Sequence, residues 1–203
     1  MKIGIFGGTF DPPHIGHVGA LRSFLEQFEF DKVFVIPTFN PPHKSLKSSV
    51  SAQDRLKMTE LAFSKLSDRV EISDLEINRQ GKSYTADTIR HFKEIGYDEI
   101  YFLCGTDMML TLDMWYKPDY IFSNAVIVYA RRENDEYVTE QIEQKKREYL
   151  CKFNANVIQL NFDITEISSS EIRMALSKGD SSFLTKEVAD YIIQQDLYKD
   201  VNT

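Results

Sequence analysis

The stretch that decides the fold lies near the start of the chain and reads Ile3-Gly4-Ile5-Phe6-Gly7-Gly8-Thr9-Phe10-Asp11-Pro12-Pro13-His14-Ile15-Gly16-His17. Its first four residues are apolar enough for a buried strand. Apolar residues then recur with helical spacing at Val18, Leu21, Leu25 and Phe28. The order is therefore strand, glycine-rich turn, two imidazoles and helix. This order predicts an anion site, because free backbone N–H groups and a positive helix end meet where a parallel strand ends.

The glycines and histidines of this turn have separate predicted roles. Gly7 and Gly8 let the backbone approach a ligand closely, since no side chain intervenes. His14 and His17 are three residues apart at the helix start, so both side chains can face one spot. Two imidazoles above N–H donors suit a polyphosphate. Taken singly, either histidine could instead be a surface or capping residue, and a glycine-rich turn alone is common in doubly wound proteins.

Composition excludes several classes of protein. The chain has 203 residues, 42% hydrophobic and 27% charged, which fits one well-buried α/β domain. Its net charge of −7 argues against bulk binding to nucleic acid. Apolar runs are too short to span a membrane and the chain enters its first strand at once, so we expect a cytoplasmic protein without a leader. Cys104 and Cys151 have no metal-ligand or redox spacing.

Further apolar runs predict a parallel sheet. Strands are expected at residues 32–36, 99–104, 125–130 and 156–162, with one or two short ones within 70–78. Helical patterns lie between them. We therefore predict an α/β fold, a Rossmann-like doubly wound parallel sheet with helices on both faces and a ligand crevice between the first and fourth strands. One domain is expected over residues 1–203, with a helical C-terminal portion from about residue 168.

Two basic residues follow the second strand. The proline-rich loop at residues 37–44 is stiff and non-helical, and it can hold Lys44 over the same crevice as the histidines. Lys44 could equally be a solvated lysine. Ser51 and Asp54 predict the start of the next helix, and we interpret Arg55 in its first turns as a residue of the solvated face.

Later helix starts and strand ends offer further candidate contacts. A helix capped by Ser83 or Thr85 presents N–H donors that could take a carboxylate, although Thr85 could merely cap. Gly105 and Asp107 follow a strand where a ribose hydroxyl is typically met. Trp115, the single tryptophan, suits either core packing or stacking on a ligand ring.

Two arginine-containing segments complete the candidates. Arg131 and Arg132 end a strand, where an arginine can pair with a carboxylate or phosphate. The stretch Ile167-Ser168-Ser169-Ser170-Glu171-Ile172-Arg173 is predicted to be a capping box closed by Ser168 and Glu171. Its N–H groups still point outward at the helix start, and Arg173 lies one turn beyond, within reach of the same anion.

Together these motifs resemble the nucleotidyltransferase superfamily with its (H/T)xGH signature, here His14-Ile15-Gly16-His17, and more closely the bacterial nicotinate-nucleotide adenylyltransferases of NAD biosynthesis. The resemblance covers almost the whole chain. It rests on five segments: residues 7–17, Asn40-Pro41-Pro42-His43-Lys44, Lys82-Ser83-Tyr84-Thr85, Gly105-Thr106-Asp107 with Trp115, and residues 167–173. Ser170 stands where the family usually has threonine and keeps the hydroxyl.

The resemblance implies an enzyme that joins ATP and nicotinate mononucleotide, with Mg²⁺ bound through the ATP phosphates and no metal ligand from the protein. The implied catalytic residues are His14, His17, Lys44 and Arg173. The implied ATP contacts are Gly7, Gly8, Thr9, Phe10, His14, His17, Gly105, Asp107, Ile167, Ser168, Ser169, Ser170 and Arg173. Nicotinate mononucleotide is the acceptor of the AMP group, and its implied contacts are Lys44, Thr85, Trp115 and Arg132. No nucleic acid or membrane partner is expected, and the sequence is compatible with a homo-oligomer.

Other functions share parts of this pattern. Phosphopantetheine adenylyltransferases and cytidylyltransferases share the first motif, but they are usually shorter and do not need Thr85 and Trp115. Class I aminoacyl-tRNA synthetases carry the same tetrapeptide, yet this chain is short, acidic and lacks a K-M-S-K loop. A non-catalytic nucleotide sensor would keep the fold, but the joint presence of His14, His17, Lys44 and Arg173 argues against it.

Overall fold

A computed structural model describes residues 1–42, 50–131, 135–161 and 168–199. The strands in chain order are β1 (Lys2–Gly8), β2 (Lys32–Pro37), β3 (Val70–Ile72), β4 (Glu99–Gly105), β5 (Val126–Ala130) and β6 (Val157–Leu160). The helices are α1 (Ile15–Gln27), α2 (Ala52–Phe63), α3 (Leu75–Arg79), α4 (Thr85–Glu94), α5 (Thr106–Met109), α6 (Pro118–Asn124), α7 (Glu136–Phe153), α8 (Ser169–Leu176) and α9 (Lys186–Gln194), with a 3-10 helix at Leu112–Met114. Within these ranges, no helix has the length and apolar character that crossing a bilayer requires.

The strands form one parallel sheet in the order β3-β2-β1-β4-β5-β6. The chain moves outward from β1 in one direction and from β4 in the other, so the order reverses between these two neighbours. The carboxyl ends of β1 and β4 meet there, with Phe6 opposite Leu103. Ligands of doubly wound sheets bind at such a reversal. The predicted fold class is confirmed, and the strand order reverses between the first and fourth strands, where we expect the ligand crevice.

Helices cover both faces of the sheet because alternate strand residues point to opposite sides. One buried cluster joins β2 residues such as Val33 and Val35 to α1, α2, α8 and α9. The other joins Phe34 and Ile36 of the same strand to α4, α6 and α7. Strands buried on both faces read as continuous apolar runs, which is why these runs were visible in the sequence.

One of the one or two short strands predicted within residues 70–78 is present as β3, and the chain then turns into α3, whose Leu75 packs against the cluster on the α4 side of the sheet. The predicted cap of the next helix is wrong. Helix α4 begins at Thr85 with Tyr84 as its N-cap residue, so neither Ser83 nor Thr85 is the cap. The Ser83 hydroxyl instead accepts a hydrogen bond from the Phe39 N–H at 2.9 Å, a partner 44 residues away that no local pattern shows.

The glycine at position 4 lets α1 pack directly on β1. A Cβ atom there would lie 2.6 Å from Cε1 of Phe24 and 3.2 Å from Cγ1 of Val33. Phe24 is fully buried, so its ring cannot move aside without displacing its neighbours.

We expect Gly4→Ala to destabilise the protein by about 1–3 kcal/mol, because the added methyl group overpacks this contact. Urea unfolding followed by circular dichroism measures the effect. Gly7→Ala is the matched control in the same strand, since its Cβ would meet Phe102 at an ordinary 3.6 Å. Equal unfolding midpoints for the two variants would contradict the packing argument.

Candidate active site

An open pocket lies at the carboxyl edge of the sheet beside the reversal of strand order. The end of β1, the loop after β2, the start of α4 and the segment around Trp115 line it. Of the predicted site residues, the structure brings Gly7, Gly8, Thr9, Thr85 and Trp115 together around this pocket. Its walls are mainly apolar, which suits a ring that must leave water.

The two histidines lie next to each other where α1 begins. Their ring centroids are 3.6 Å apart, and the backbone N–H of His14 donates to the ring Nδ1 of His17 at 3.3 Å. His14 is 2% exposed and is the residue that precedes the first turn of α1. Phe10 packs edge-on against His17, with centroids 5.3 Å apart. The loop and the helix start therefore hold both imidazoles on one side of the β1 end, as their spacing predicts.

Helix α8 reaches the same loop from the other end of the chain. Arg173 Nη1 donates to the Asp11 carbonyl at 2.6 Å and lies 3.6 Å from the Asp11 carboxylate. Arg173 Nη2 donates to the Ser170 hydroxyl at 3.0 Å, and the Ser169 hydroxyl donates to the Pro12 carbonyl at 3.3 Å. The start of α8, with its Ser168–Glu171 capping box, is thus beside residues 9–14, which we call the histidine loop.

Tyr198, beyond the end of α9, contributes a buried contact to this loop. Its hydroxyl donates to Oδ1 of Asp11 at 2.7 Å. Burial and the Asp11 charge both raise the pKa of Tyr198 above its ordinary value, so the hydroxyl stays protonated and able to donate. The Asp11 carboxylate therefore has Tyr198 on one oxygen and Arg173 near the other. Tyr198 was not recognised in the sequence, since a tyrosine in a terminal segment carries no motif.

The prediction that Arg55 lies on a solvated helix face is wrong. Arg55 is 0% exposed, and its guanidinium donates to the Thr9 carbonyl at 2.8 Å and to the Phe39 carbonyl at 3.2 Å. Burial lowers the pKa of Arg55, while the Asp11 charge raises it. The Arg55 side chain therefore connects the loop after β1 to the loop after β2, and both of these loops border the pocket.

The remaining candidates within the described ranges, Gly105, Asp107 and Trp115, lie at or after the carboxyl end of β4. Gly105 ends β4 and Asp107 is in the first turn of α5. Both are near the β1 end because β4 pairs with β1. Trp115 follows the 3-10 helix, donates from Nε1 to the Thr111 hydroxyl at 3.3 Å and packs edge-on against Phe102 at 6.5 Å between centroids. Trp115 lines the pocket, while Gly105 and Asp107 do not.

Three predicted residues, Lys44, Arg132 and Ile167, lie outside the described ranges. The others, apart from Gly105 and Asp107, lie in two neighbouring groups. One contains the histidines and the start of α8, and the other is the pocket with Thr85 and Trp115. The glycine-rich end of β1 lies between these groups and belongs to both.

Comparison with known proteins agrees with this geometry. A model of the cytidylyltransferase-like family matches residues 5–175. A probable nicotinate-nucleotide adenylyltransferase of Clostridium kluyveri is 35% identical over 203 residues, covering 98% of this chain and 100% of its own. One from Clostridium botulinum strain Hall is 37% identical over 198 residues, covering 96% and 98%. The chain belongs to the nicotinate-nucleotide adenylyltransferase family.

Solved structures match the fold of this adenylyltransferase family member. The Plasmodium falciparum nicotinic acid mononucleotide adenylyltransferase superimposes with a TM-score of 0.73 in its complex with NaAD and 0.72 in its complex with APC. Sequence identity is 22%, and the matches cover 98% of this chain and 97% of that protein. At this identity the similarity concerns the arrangement of strands and helices.

In this family member we expect Tyr198→Phe to lower the free energy of unfolding by about 1–3 kcal/mol, because it removes a buried hydrogen bond to a charged group. Urea unfolding measures the loss. Tyr137→Phe, at an exposed position of α7, is the matched control and should leave stability unchanged. If the two variants unfold at the same urea concentration, the Tyr198 contact does not hold the loop.

Proposed function

We propose that this protein transfers AMP from ATP to nicotinate mononucleotide, giving nicotinate adenine dinucleotide and pyrophosphate. The observation that carries the proposal is the meeting of α8 with the histidine loop. Arg173 and Ser169 contact the carbonyls of Asp11 and Pro12, although more than 150 residues separate them in the chain. Polar groups that converge in this way beside two helix starts suit the triphosphate of a nucleotide.

The ATP half of the proposed site consists of the β1 turn, α1 and α8. His14 and His17 would contact the phosphates, and the N–H groups at the start of α8 would bind the far end of the triphosphate. Arg173 supplies a positive charge beneath the loop. Gly105 and Asp107, at the end of the neighbouring strand, would meet the adenosine. Ile167 is assigned to the same half from the sequence alone, and Lys44 is predicted to lie near the phosphates of both reactants.

The acceptor half is the apolar pocket. The start of α4 would bind the pyridine carboxylate through the backbone N–H groups around Thr85, where the helix dipole favours an anion. Trp115 would stack on the ring, an arrangement that contributes about 1 kcal/mol beyond area burial. Lys44 and Arg132 stay predicted contacts of the acceptor phosphate and carboxylate.

The reaction needs no nucleophile from the protein. The phosphate oxygen of the mononucleotide attacks the α-phosphorus of ATP in line, the new P–O bond forms, and the bond to the β-phosphate oxygen breaks as pyrophosphate leaves. The protein holds the two polyanions together and stabilises the charge that develops on the transferring group. His14 and His17 are assigned that second task because they face the end of β1 as a pair.

Nucleotidyltransferases generally work with a divalent metal, and we propose Mg²⁺ for this one. In the parts of the chain that the structure describes, no cluster of three His, Cys, Asp or Glu side chains could hold a metal. An Mg²⁺ ion that is carried by phosphate oxygens and water needs no cage of protein ligands. When bound, the ion would neutralise phosphate charge. A cytoplasmic location and self-association stay predictions from the sequence.

Pyrophosphate release from ATP tests the proposal directly. We expect release with nicotinate mononucleotide and a kcat/KM lower by about tenfold or more with nicotinamide mononucleotide, since only the acid gains charge-assisted bonds at the start of α4. Phosphopantetheine is the third acceptor in the assay. Preference for it would indicate the related adenylyltransferase, and turnover with none of the three would indicate a nucleotide sensor.

We expect His17→Ala to lower kcat by about 10²-fold or more, because it removes a charge contact made in the transition state. Steady-state rates at saturating ATP and nicotinate mononucleotide measure the loss. His91→Ala, on the part of α4 remote from its start, is the control and should keep the wild-type rate. Near-normal turnover of a folded His17→Ala protein would exclude the assigned role.

A further inference from the structure

A buried acid borders the acceptor pocket and has no part in the mechanism above. Glu76 lies in the short helix α3, is 6% exposed, and lines the pocket together with Thr85 and Trp115. A carboxylate in such surroundings is costly unless other groups hydrogen-bond to it. Its neighbours therefore indicate what it does.

The Glu76 carboxylate contacts the segment that begins α4. Its Oε1 atom accepts a hydrogen bond from the Thr88 hydroxyl at 2.6 Å, and Nη2 of Arg79 lies 4.0 Å from the same oxygen. Burial raises the pKa of Glu76, whereas the hydroxyls of Thr88 and Ser83 and the charge of Arg79 lower it. Thr88 lies three residues after Thr85 in α4, so the carboxylate contacts the first turn of the helix that carries the predicted carboxylate-binding N–H groups. Its other oxygen, Oε2, is buried without a hydrogen-bond partner among the described residues.

The same segment is tied to the loop after β2. The Ser83 hydroxyl accepts from the N–H groups of Phe39 and Asn40 at 2.9 and 3.4 Å, and the Ser83 N–H donates to the Asn40 carbonyl at 2.9 Å. The segment before α4 is thus connected to the loop after β2, and both border the pocket that Glu76 lines.

We propose that Glu76 is a positioning residue that orients the start of α4 toward the pyridine carboxylate of the acceptor. The inference rests on the proposed function and names how its acceptor half is aligned. The backbone N–H groups of a helix start bind an anion well only when the first turn is held in one orientation. Glu76 fixes that turn through its hydrogen bond with Thr88 within the helix.

The effect should be confined to the acceptor. The described side-chain contacts of Glu76 are with Arg79 and Thr88, whereas the ATP half is built from α1, α8 and the β1 turn. Misalignment at α4 therefore weakens binding of the mononucleotide and leaves ATP binding intact. A residue that only stabilised the fold would not separate the two substrates in this way.

Steady-state kinetics of four variants test this inference. Glu76→Ala removes the hydrogen bond with Thr88 and the ion pair with Arg79, and we expect its KM for nicotinate mononucleotide to rise by about tenfold or more. Glu76→Gln keeps the shape of the side chain and one oxygen that can accept the hydrogen bond from Thr88, so its KM for nicotinate mononucleotide should rise by only about threefold. Thr88→Val removes one contact and should give about fivefold. In all three, KM for ATP should stay within about twofold of wild type. Glu71→Ala, an exposed acid on β3, is the control and should match wild type.

The possible results separate the inference from the function. If the wild-type protein uses nicotinate mononucleotide and both Glu76 variants keep its KM, the positioning role is wrong and the function stands. A lower KM in Glu76→Gln would mean that the charge merely repels the acceptor, which also overturns the role. Equal increases in both KM values would indicate a general structural effect and do the same. If Glu76→Ala does not fold, Thr88→Val and Glu76→Gln decide the question.

Discussion

The loop after β1 depends on buried donors that reach its backbone carbonyls from distant helices. Arg55 of α2 satisfies the Thr9 carbonyl, and Arg173 and Ser169 of α8 satisfy those of Asp11 and Pro12. A loop without its own ladder of hydrogen bonds cannot be buried unless such partners exist. Because the partners are long charged or polar side chains, the loop has a defined shape and the histidines that follow it have defined positions. The rest of the site is arranged around this loop.

The same constraint joins the two halves of the site. Arg55 also donates to the carbonyl of Phe39. The backbone N–H of Phe39 in turn donates to the hydroxyl of Ser83, which lines the acceptor pocket. A continuous set of polar contacts therefore runs from the histidine loop, through Arg55, to the segment before α4. In-line transfer requires two nucleotides at a fixed distance, and rigid connections between their subsites supply it. The two loops after β1 and β2 are also neighbours in the sheet, with Gly8 opposite Pro37.

Sequence reasoning succeeded where the signal was local. Buried strands, the capping box at Ser168 and the order of helices follow from short-range patterns, and the doubly wound fold follows from them. It failed for Arg55 and said nothing of Glu76, because each is buried through partners that lie elsewhere in the chain or depend on tertiary placement. An arginine in the first turns of a helix ordinarily lies in water, and only the carbonyls of Thr9 and Phe39 make burial favourable here. The contact between Arg173 and Asp11 is equally long-range, but family resemblance had already pointed to Arg173.

The buried polar side chains lie where they fix the geometry of the backbone, at some cost in the stability of the fold. Among the described residues, those buried side chains are Asp11, His14, Arg55, Thr59, Glu76, Ser83, Thr88, Thr106 and Arg173. All but Thr59 lie on the loops and helix starts at the carboxyl edge of the sheet or contact them, and Thr59 bonds to the carbonyl of Arg55. Apolar residues of similar volume would stabilise a fold at least as well, since buried charges lose their hydration. Their confinement to one edge therefore indicates that they are retained to hold the backbone around the ligands, with Glu76 serving the acceptor as Arg55 and Arg173 serve the histidine loop.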